Sequence, residues 1–224
     1  MTSERVFASI LDEWLTIAPR PAGADEWEAR FDEMASEQAH LRAEGNWRTG
    51  GRTLLHALGL QHDEVRLCAG LAWLLTPDGW HGLGTTLLRA LLDELGFTAL
   101  EEADVAGASV VTEEWSTDNT TRADIVVRLP QSATTVLVEA KVWAGEQPNQ
   151  CQRLAELWAS ESPTLVFLTR TGSQPLTARE GDHWIPLAWA SVARLMHQVD
   201  APSWSPGARE LRETIEVYGG TAHG

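Results

Sequence analysis

Cysteines, basic side chains and long apolar runs are all scarce in this sequence. The two cysteines, Cys68 and Cys151, lie far apart and outside any Cys-x-x-Cys pair, which excludes a disulfide framework and a zinc site of paired cysteines. No apolar run approaches the roughly 20 residues of a transmembrane helix, and the first residues lack the basic start and apolar stretch of a signal peptide. These absences predict a soluble, cytoplasmic protein with reduced thiols and no membrane partner.

Negative charge dominates the composition. Seventeen lysines and arginines stand against 32 acidic residues, so the formal net charge is −15. A chain of this charge repels a phosphate backbone at long range, which excludes nucleic-acid binding by bulk electrostatics. Any such site needs a local basic strip, metal ions or a partner protein. The 11 tryptophans could stack on bases, but most lie among leucine and alanine, which favours packing in the core and on amphipathic helix faces.

The sequence contains no internal repeat, low-complexity tract or long linker that would divide it. Hydrophobic residues make up 43% of the 224, enough for a sizeable core. We therefore predict one domain over residues 1–224, with a helical N-terminal elaboration over 1–60 and a core over 61–175.

Hydrophobic periodicity predicts helices first, then a group of short β-branched strands, then a mixture of both. The predicted helices span residues 4–17, 24–45, 63–75 (with Asp63 as N-cap), 84–95, 147–160, 189–199 and 206–218. The predicted strands span 108–115, 123–129, 134–142, 164–170 and 184–187. Three adjacent strands followed by a crossover helix and another strand indicate an α/β fold. We expect a mixed central sheet of about four to five strands, flanked by helices on both faces.

Charged residues interrupt two of the apolar strands. Asp124 is near the start of one strand, and Glu139 and Lys141 lie near the end of the next. Because strand side chains alternate, Glu139 and Lys141 share a face while Ala140 points away. If the two strands pair, Asp124 comes beside Glu139, and two carboxylates suit a hard cation such as Mg²⁺ or Mn²⁺. The alternative is an edge strand with one solvated face that carries an exposed Glu–Lys pair.

This arrangement resembles the PD-(D/E)XK nuclease superfamily, whose signature is an Asp, a spacer and Glu-x-Lys. Asp124, Glu139 and Lys141 match it, while Ala123 stands where the name has proline. Downstream, Gln150 matches the glutamine of the Gln-x-x-x-Tyr motif of the RecB-like branch, although Leu154 occupies the tyrosine position.

An upstream segment is also similar to standalone bacterial members of that superfamily. Their usual form is Glu-x-x-His-Ser, an apolar run, an Asp-Pro turn and His-Gly. Here Glu64 opens the segment, Leu67 and Cys68 replace His-Ser, and Thr76 replaces the aspartate of the turn. The resemblance covers about residues 60–170.

The resemblance implies a restriction-endonuclease-like fold and a metal-dependent endo- or exonuclease. It implies that Asp124, Glu139, the Ala140 carbonyl and Glu64 hold Mg²⁺ (or Mn²⁺ in its place), with Glu113 on the preceding strand as a further ligand. Lys141 would position or polarise the water, and Gln150 would bind near the scissile phosphate. It also implies DNA as substrate in preference to RNA and a role in defence against foreign DNA.

Two other functions fit the same residues. One is a catalytically silent nuclease-fold protein that binds DNA or a partner protein, which the charge of −15 and the missing His-Ser and tyrosine favour. The other is an α/β interaction domain without a divalent metal site. A homodimer or a partner protein would lengthen the binding groove in either nuclease-like case.

Overall fold

A computed structural model describes residues 23–47, 49–199 and 204–219. The chain divides into two compact units, residues 1–50 and 51–224.

The described part of the first unit contains one long helix, α1 (Ala24–Ala43). It confirms the helix predicted over 24–45, whereas the helix predicted over 4–17 lies outside the described residues. No side chain of α1 is buried, and Trp27 and Phe31 are half or more exposed.

The second unit contains the remaining described elements, which include five strands. Its helices are α2 (Leu54–Ala57), α3 (Glu64–Leu75), α4 (Thr86–Glu94), α5 (Glu102–Ala106), α6 (Gln150–Leu157), α7 (Trp189–Gln198) and α8 (Pro206–Tyr218), with a 3₁₀ turn at Ala159–Glu161. Its strands are β1 (Ser109–Trp115), β2 (Arg122–Leu129), β3 (Thr134–Ala140), β4 (Thr164–Thr169) and β5 (Trp184–Ala188).

The predicted order of elements in this unit is confirmed, with element ends that differ by at most three residues. Asp63 caps α3 as predicted, because its carboxylate accepts the backbone N–H of Arg66 at 3.0 Å. The cap fixes Glu64 as the first residue of α3. The prediction omitted α2 and α5. Each has little more than one turn, which is too short to show a helical period.

The five strands form one mixed sheet in the order β1-β2-β3-β4-β5. Neighbours from β1 to β3 pair antiparallel, and those from β3 to β5 pair parallel. The crossover from β3 to β4 contains α6, as parallel pairing requires. The predicted α/β fold with a mixed sheet of four to five strands, restriction-endonuclease-like in architecture, is therefore confirmed.

Both faces of the central strands are covered, which explains their nearly continuous apolar sequence. On β2, Ile125 and Val127 face one core cluster, which includes residues of α3, α4, α7 and α8. Val126 faces the second cluster, which is built on α6 with Leu154 and Trp158. A charged side chain at the end of these strands therefore lies beside buried surface, so its neighbours decide its ionisation.

The predicted single domain with a core over 61–175 stays a prediction. The sheet and core of the second unit continue beyond residue 175, through β5, α7 and α8. Among the described residues, no helix combines the length and hydropathy needed to cross a bilayer.

Candidate active site

Asp124 lies where β2 and β3 separate. The last residues that pair between these two strands on this side are Ile125 and Val138, so Asp124 and Glu139 have no partner in the β2–β3 ladder. The Oδ2 of Asp124 accepts the backbone N–H of Ala140 at 2.7 Å. Burial raises the pKa of the Asp124 carboxyl to about 6, against the opposing effect of that hydrogen bond. Strand geometry thus places a partly desolvated carboxylate at the end of β3.

Glu139 is the most enclosed member of the cluster, with no exposed surface. Its Oε1 lies 2.5 Å from the Lys141 Nζ and 2.5 Å from the Gln150 Nε2. Its Oε2 is buried and has no hydrogen-bond partner among the described residues. Burial, with repulsion from Asp124, raises the pKa of Glu139 to about 8. An orphaned carboxylate oxygen is unusual in a folded protein and marks a position where a cation or water is expected.

Lys141 lies between the carboxylates. Its Nζ contacts Glu139 and lies 3.7 Å from Oε1 of Glu64, whose Oε2 accepts the N–H of Val142 at 2.9 Å. Burial alone would lower the pKa of Lys141, but the surrounding carboxylates raise it above its ordinary value. Lys141 therefore carries its proton, and acts as a cation.

Gln150 approaches the same cluster from the first residue of α6. The N–H of Gln147 donates to Oε1 of Gln150 at 3.0 Å, which leaves the amide Nε2 to donate to Glu139. The structure thus brings together five residues predicted from the sequence: Glu64, Asp124, Glu139, Lys141 and Gln150. The backbone N–H of Ala140, whose carbonyl is a predicted metal ligand, donates to Asp124. In an extended strand the carbonyl of a residue points to the same side as its N–H, so the Ala140 carbonyl also points to the side of Asp124.

Glu113 is not brought into this cluster. It adopts a left-handed backbone conformation within β1 (φ 54°), and its Oε1 lies 2.7 Å from the Arg122 guanidinium. The adjacent Glu114 instead binds both terminal nitrogens of Arg128, at 2.7 and 2.8 Å. Both glutamates of β1 are therefore engaged by arginines, and the metal role of Glu113 stays a prediction without a contact to support it.

Cys68 occupies the position at which the similar standalone proteins have serine. It is buried, and the charges of the cluster affect its pKa. Burial raises the pKa of its thiol well above the ordinary range, as do the negative charges of Asp124, Glu64 and Glu139. A neutral buried thiol is inert, so Cys68 is a packing residue rather than a nucleophile.

The cluster opens into a groove of about 340 Å³, called here the carboxylate groove. It is lined by Glu64, Trp115, Thr120, Thr121, Arg122, Asp124, Lys141, Ala144, Gly145, Gln147, Gln150 and Arg153. The lining contains three cations, Arg122, Lys141 and Arg153, and two carboxylates, Glu64 and Asp124. Arg122 and Lys141 are paired with glutamates, so the groove has a mixed charge rather than the local basic strip that the net charge of −15 calls for, and phosphate binding here depends on a metal ion or a partner.

Two features of the groove were missed from the sequence. Trp115 and Arg153 line it, although neither belongs to a recognised motif. Lys141 is the only lysine among the 224 residues, and every other basic side chain is arginine. That count alone could have singled Lys141 out. A chain that uses arginine everywhere else keeps the compact ammonium group only here.

The family match agrees with this geometry. A model of the PD-(D/E)XK nuclease superfamily matches residues 54–171, which is just over half of the chain. The chain belongs to the PD-(D/E)XK nuclease superfamily. The matched range includes every residue of the cluster, and the resemblance inferred from the sequence is confirmed. The likeness to the RecB-like branch stays a prediction. Comparison with curated proteins and with solved structures gives no match.

Nucleases of this superfamily typically use divalent metal ions, and the cluster fits such an ion. Glu139 leaves one buried oxygen without a partner among the described residues. Burial raises the pKa of both Asp124 and Glu139, and the charge of Asp124 raises that of Glu139 further. A bound cation would give the free oxygen a partner and would stabilise the ionised form of both carboxylates. Within the described ranges, no three His, Cys, Asp or Glu side chains form a ready-made cage. The fit is therefore to an ion with few protein ligands that keeps several waters, as Mg²⁺ does.

Gln150 offers a test of how the cluster is supported. Replacing Gln150 with leucine removes one of the two donors to Glu139, so the pKa of Glu139 should rise further. We expect metal-dependent activity to fall about 10- to 100-fold and its pH profile to move to higher pH. Gln152→Leu is the matched control, because the Gln152 amide donates only to Glu156, on the surface of the same helix. Equal rates for the two variants would contradict the role given to Gln150.

Proposed function

We propose that the protein is a metal-dependent nuclease that hydrolyses phosphodiester bonds, in DNA in preference to RNA. The observation that carries the proposal is the convergence of Asp124 and Glu139, from adjacent strands, with the sole lysine of the chain in one groove. The alternative of an exposed Glu–Lys pair on an edge strand is excluded, because Glu139 is fully buried and β3 is the central strand of the sheet.

In this proposal, Asp124 and Glu139 hold one or two Mg²⁺ ions, for which Mn²⁺ can substitute. The Ala140 carbonyl provides a further ligand, and Glu64 supports the metal or its water. The bound ion supplies positive charge to the phosphoryl oxygens and lowers the pKa of a coordinated water.

Lys141 acts as a fixed cation in the proposed reaction. Its raised pKa keeps it protonated, so it does not serve as a general base before the metal is bound. It orients the attacking water and stabilises the negative charge that develops on the phosphorus oxygens. Glu64 and Glu139 hold the ammonium in place. Gln150 fixes Glu139 and presents its amide beside the scissile phosphate.

The biological setting is part of the same proposal. We propose action in the cytoplasm, supported by two free, buried cysteines, and a role in defence against foreign DNA. A second copy of the chain or a partner protein would extend the groove along the substrate.

The test is incubation of the purified protein with plasmid, linear duplex, single-stranded DNA and RNA, each with Mg²⁺, Mn²⁺ or EDTA. Products from DNA that require the metal support the proposal, and their lengths distinguish endonuclease from exonuclease action. Divalent binding by calorimetry without cleavage of any substrate would instead support the silent nuclease-fold binding module. Absence of both would support the interaction domain.

A further inference from the structure

A separate cavity of about 190 Å³ lies close to the carboxylate groove. It is lined by Thr53, His56, Gln61, His62, Trp143, Arg170, Thr214, Val217 and Tyr218. Val142, which directly follows Lys141, links the two sites. Its N–H binds Glu64 in the groove, and its carbonyl accepts the hydroxyl of Tyr218 in the cavity wall at 2.7 Å.

A third depression shares lining residues with both the cavity and the groove. This shallow depression of about 360 Å³ shares Lys141, Ala144 and Gly145 with the groove and shares Trp143 and Arg170 with the cavity. A ligand that extends from the carboxylates could therefore follow this depression into the cavity.

Aromatic rings form the walls of the cavity. The ring centroid of His62 lies 5.2 Å from that of Trp143 and 6.0 Å from that of Tyr218. Trp143 remains 63% exposed, and the Arg170 guanidinium lies 5.8 Å from its ring centroid. A flat ligand can stack on the exposed indole of Trp143, while the cation beside it suits a ligand joined to a phosphate.

Two buried polar atoms in the lining have no hydrogen-bond partner among the described residues. These are Nδ1 of His56 and Oε1 of Gln61. Nearby, the Thr214 hydroxyl donates to that of Thr53 at 2.8 Å. Buried polar atoms normally have partners, so the contents of the cavity are expected to supply them. A ligand would give both atoms a hydrogen-bond partner if it placed a donor opposite Gln61 Oε1 and a donor or acceptor opposite His56 Nδ1.

We propose that this cavity is a base pocket, which holds one unpaired nucleobase of a single-stranded substrate whose phosphate lies at the Asp124–Glu139–Lys141 cluster. This inference rests on the proposed nuclease function and specifies its substrate class. The pocket has the volume of about six water molecules and is smaller than sites for drug-sized ligands, so it suits one heterocycle. The His62 ring meets Trp143 and Tyr218 edge to face, and Trp143 is exposed, so a base would stack against the Trp143 indole, a mode in which proteins bind unstacked bases.

A second Trp–Arg pair, in the lining of the carboxylate groove itself, supports a single strand independently. Trp115 lines the carboxylate groove, is 55% exposed, and has the Arg122 guanidinium 5.6 Å from its ring centroid. The groove and the cavity thus each contain an exposed tryptophan beside an arginine. Stacking platforms combined with cations are typical of single-strand binding, whereas paired bases in a duplex present no free faces.

The test uses short single-stranded oligonucleotides with 2-aminopurine at successive positions, bound with Mg²⁺ to protein carrying Lys141→Ala to prevent cleavage. We expect strong quenching of the 2-aminopurine emission at one position. Adding Trp143→Ala should remove that quenching and weaken binding about 5- to 150-fold. Gln61→Leu should leave the quenching but reduce the preference for one base at that position.

Trp80→Ala is the matched control, because Trp80 is 94% exposed and lines neither the groove nor the cavity. Quenching and affinity that are the same for Trp143→Ala and Trp80→Ala would overturn the base pocket and leave a cavity filled by water. If wild type cleaves with metal, that result leaves the nuclease function intact. If wild type cleaves no nucleic acid and no oligonucleotide binds, both the proposed function and the base pocket are overturned.

Discussion

Lys141→Arg should reduce metal-dependent cleavage nearly as far as Lys141→Ala, by about 100- to 1,000-fold, although it keeps the positive charge. The reason is that the space around the Lys141 ammonium group is too small for a guanidinium. Lys141 is only 12% exposed, and its Nζ lies 2.5 Å from Glu139 and 3.7 Å from Glu64. The planar guanidinium is larger than an ammonium and places its donors in a fixed fork, so it cannot occupy this position without displacing a carboxylate.

The measurement is the single-turnover rate of each variant with saturating metal. Arg194→Lys is the control for exchange of the two cations, because Arg194 lies on the surface and pairs with Glu94 outside the groove. Its rate should equal that of wild type. Full activity of Lys141→Arg would show that charge alone matters at this position and would contradict the role given to the compact ammonium group.

Glu139→Gln should abolish metal-dependent cleavage and also stabilise the metal-free protein. Burial raises the pKa of Glu139 from 4.5 to about 8. Between these values the folded state binds more protons than the unfolded state, so the contribution of Glu139 to stability declines as the pH rises from about 4.5 to 8. Glutamine has the same shape and does not titrate. It should therefore raise the free energy of unfolding at pH 8 by an amount on the order of a few kcal/mol.

Urea unfolding in EDTA at pH 5 and pH 8 measures this effect. The difference between Glu139→Gln and wild type should be small at pH 5 and largest at pH 8, and saturating Mg²⁺ should stabilise wild type alone. Glu94→Gln, on the surface, serves as the control for loss of one negative charge from an acidic chain. A variant that is less stable than wild type at pH 8 would mean that the Glu139–Lys141 pair stabilises the fold more than burial of the carboxylate weakens it.

Much of this fold follows from local sequence. The strands around Asp124 and Glu139 are β-branched, nearly continuous in apolar residues and bounded by turns, because both faces of β2 and β3 are covered. The alternation of strand side chains correctly placed Glu139 and Lys141 on one face, where their side chains meet. Leu154, at the tyrosine position of the RecB-like motif, is fully buried in the second core cluster, so packing explains its apolar side chain.

Other features depend on tertiary contacts that no local pattern contains. The left-handed conformation of Glu113 changes the direction of a side chain that strand alternation alone would have assigned. Packing in the core or on a helix face was predicted for most tryptophans. Four are buried, namely Trp158, Trp184, Trp189 and Trp204, and the exposed Trp27 lies on a helix. The prediction fails for four that are exposed outside helices: Trp47, Trp80, Trp115 and Trp143.

The cavity beside Trp143 could not be predicted from the sequence either, because it too depends on tertiary contacts. Its lining comes from residues 53–62, from 143 and 170, and from the end of α8 at 214–218, which meet only in the folded chain. None of these segments carries a motif that marks it as a binding site.

The most direct test of the proposed active site compares Asp124→Ala with Asp93→Ala in a cleavage assay with Mg²⁺ and with EDTA. Asp93 is an exposed aspartate on α4, away from the carboxylate groove, so it controls for loss of one negative charge. We expect Asp93→Ala to cleave at the wild-type rate only when Mg²⁺ is present, and Asp124→Ala to leave the substrate intact in both conditions. Metal-dependent cleavage by Asp124→Ala at the wild-type rate would contradict the account.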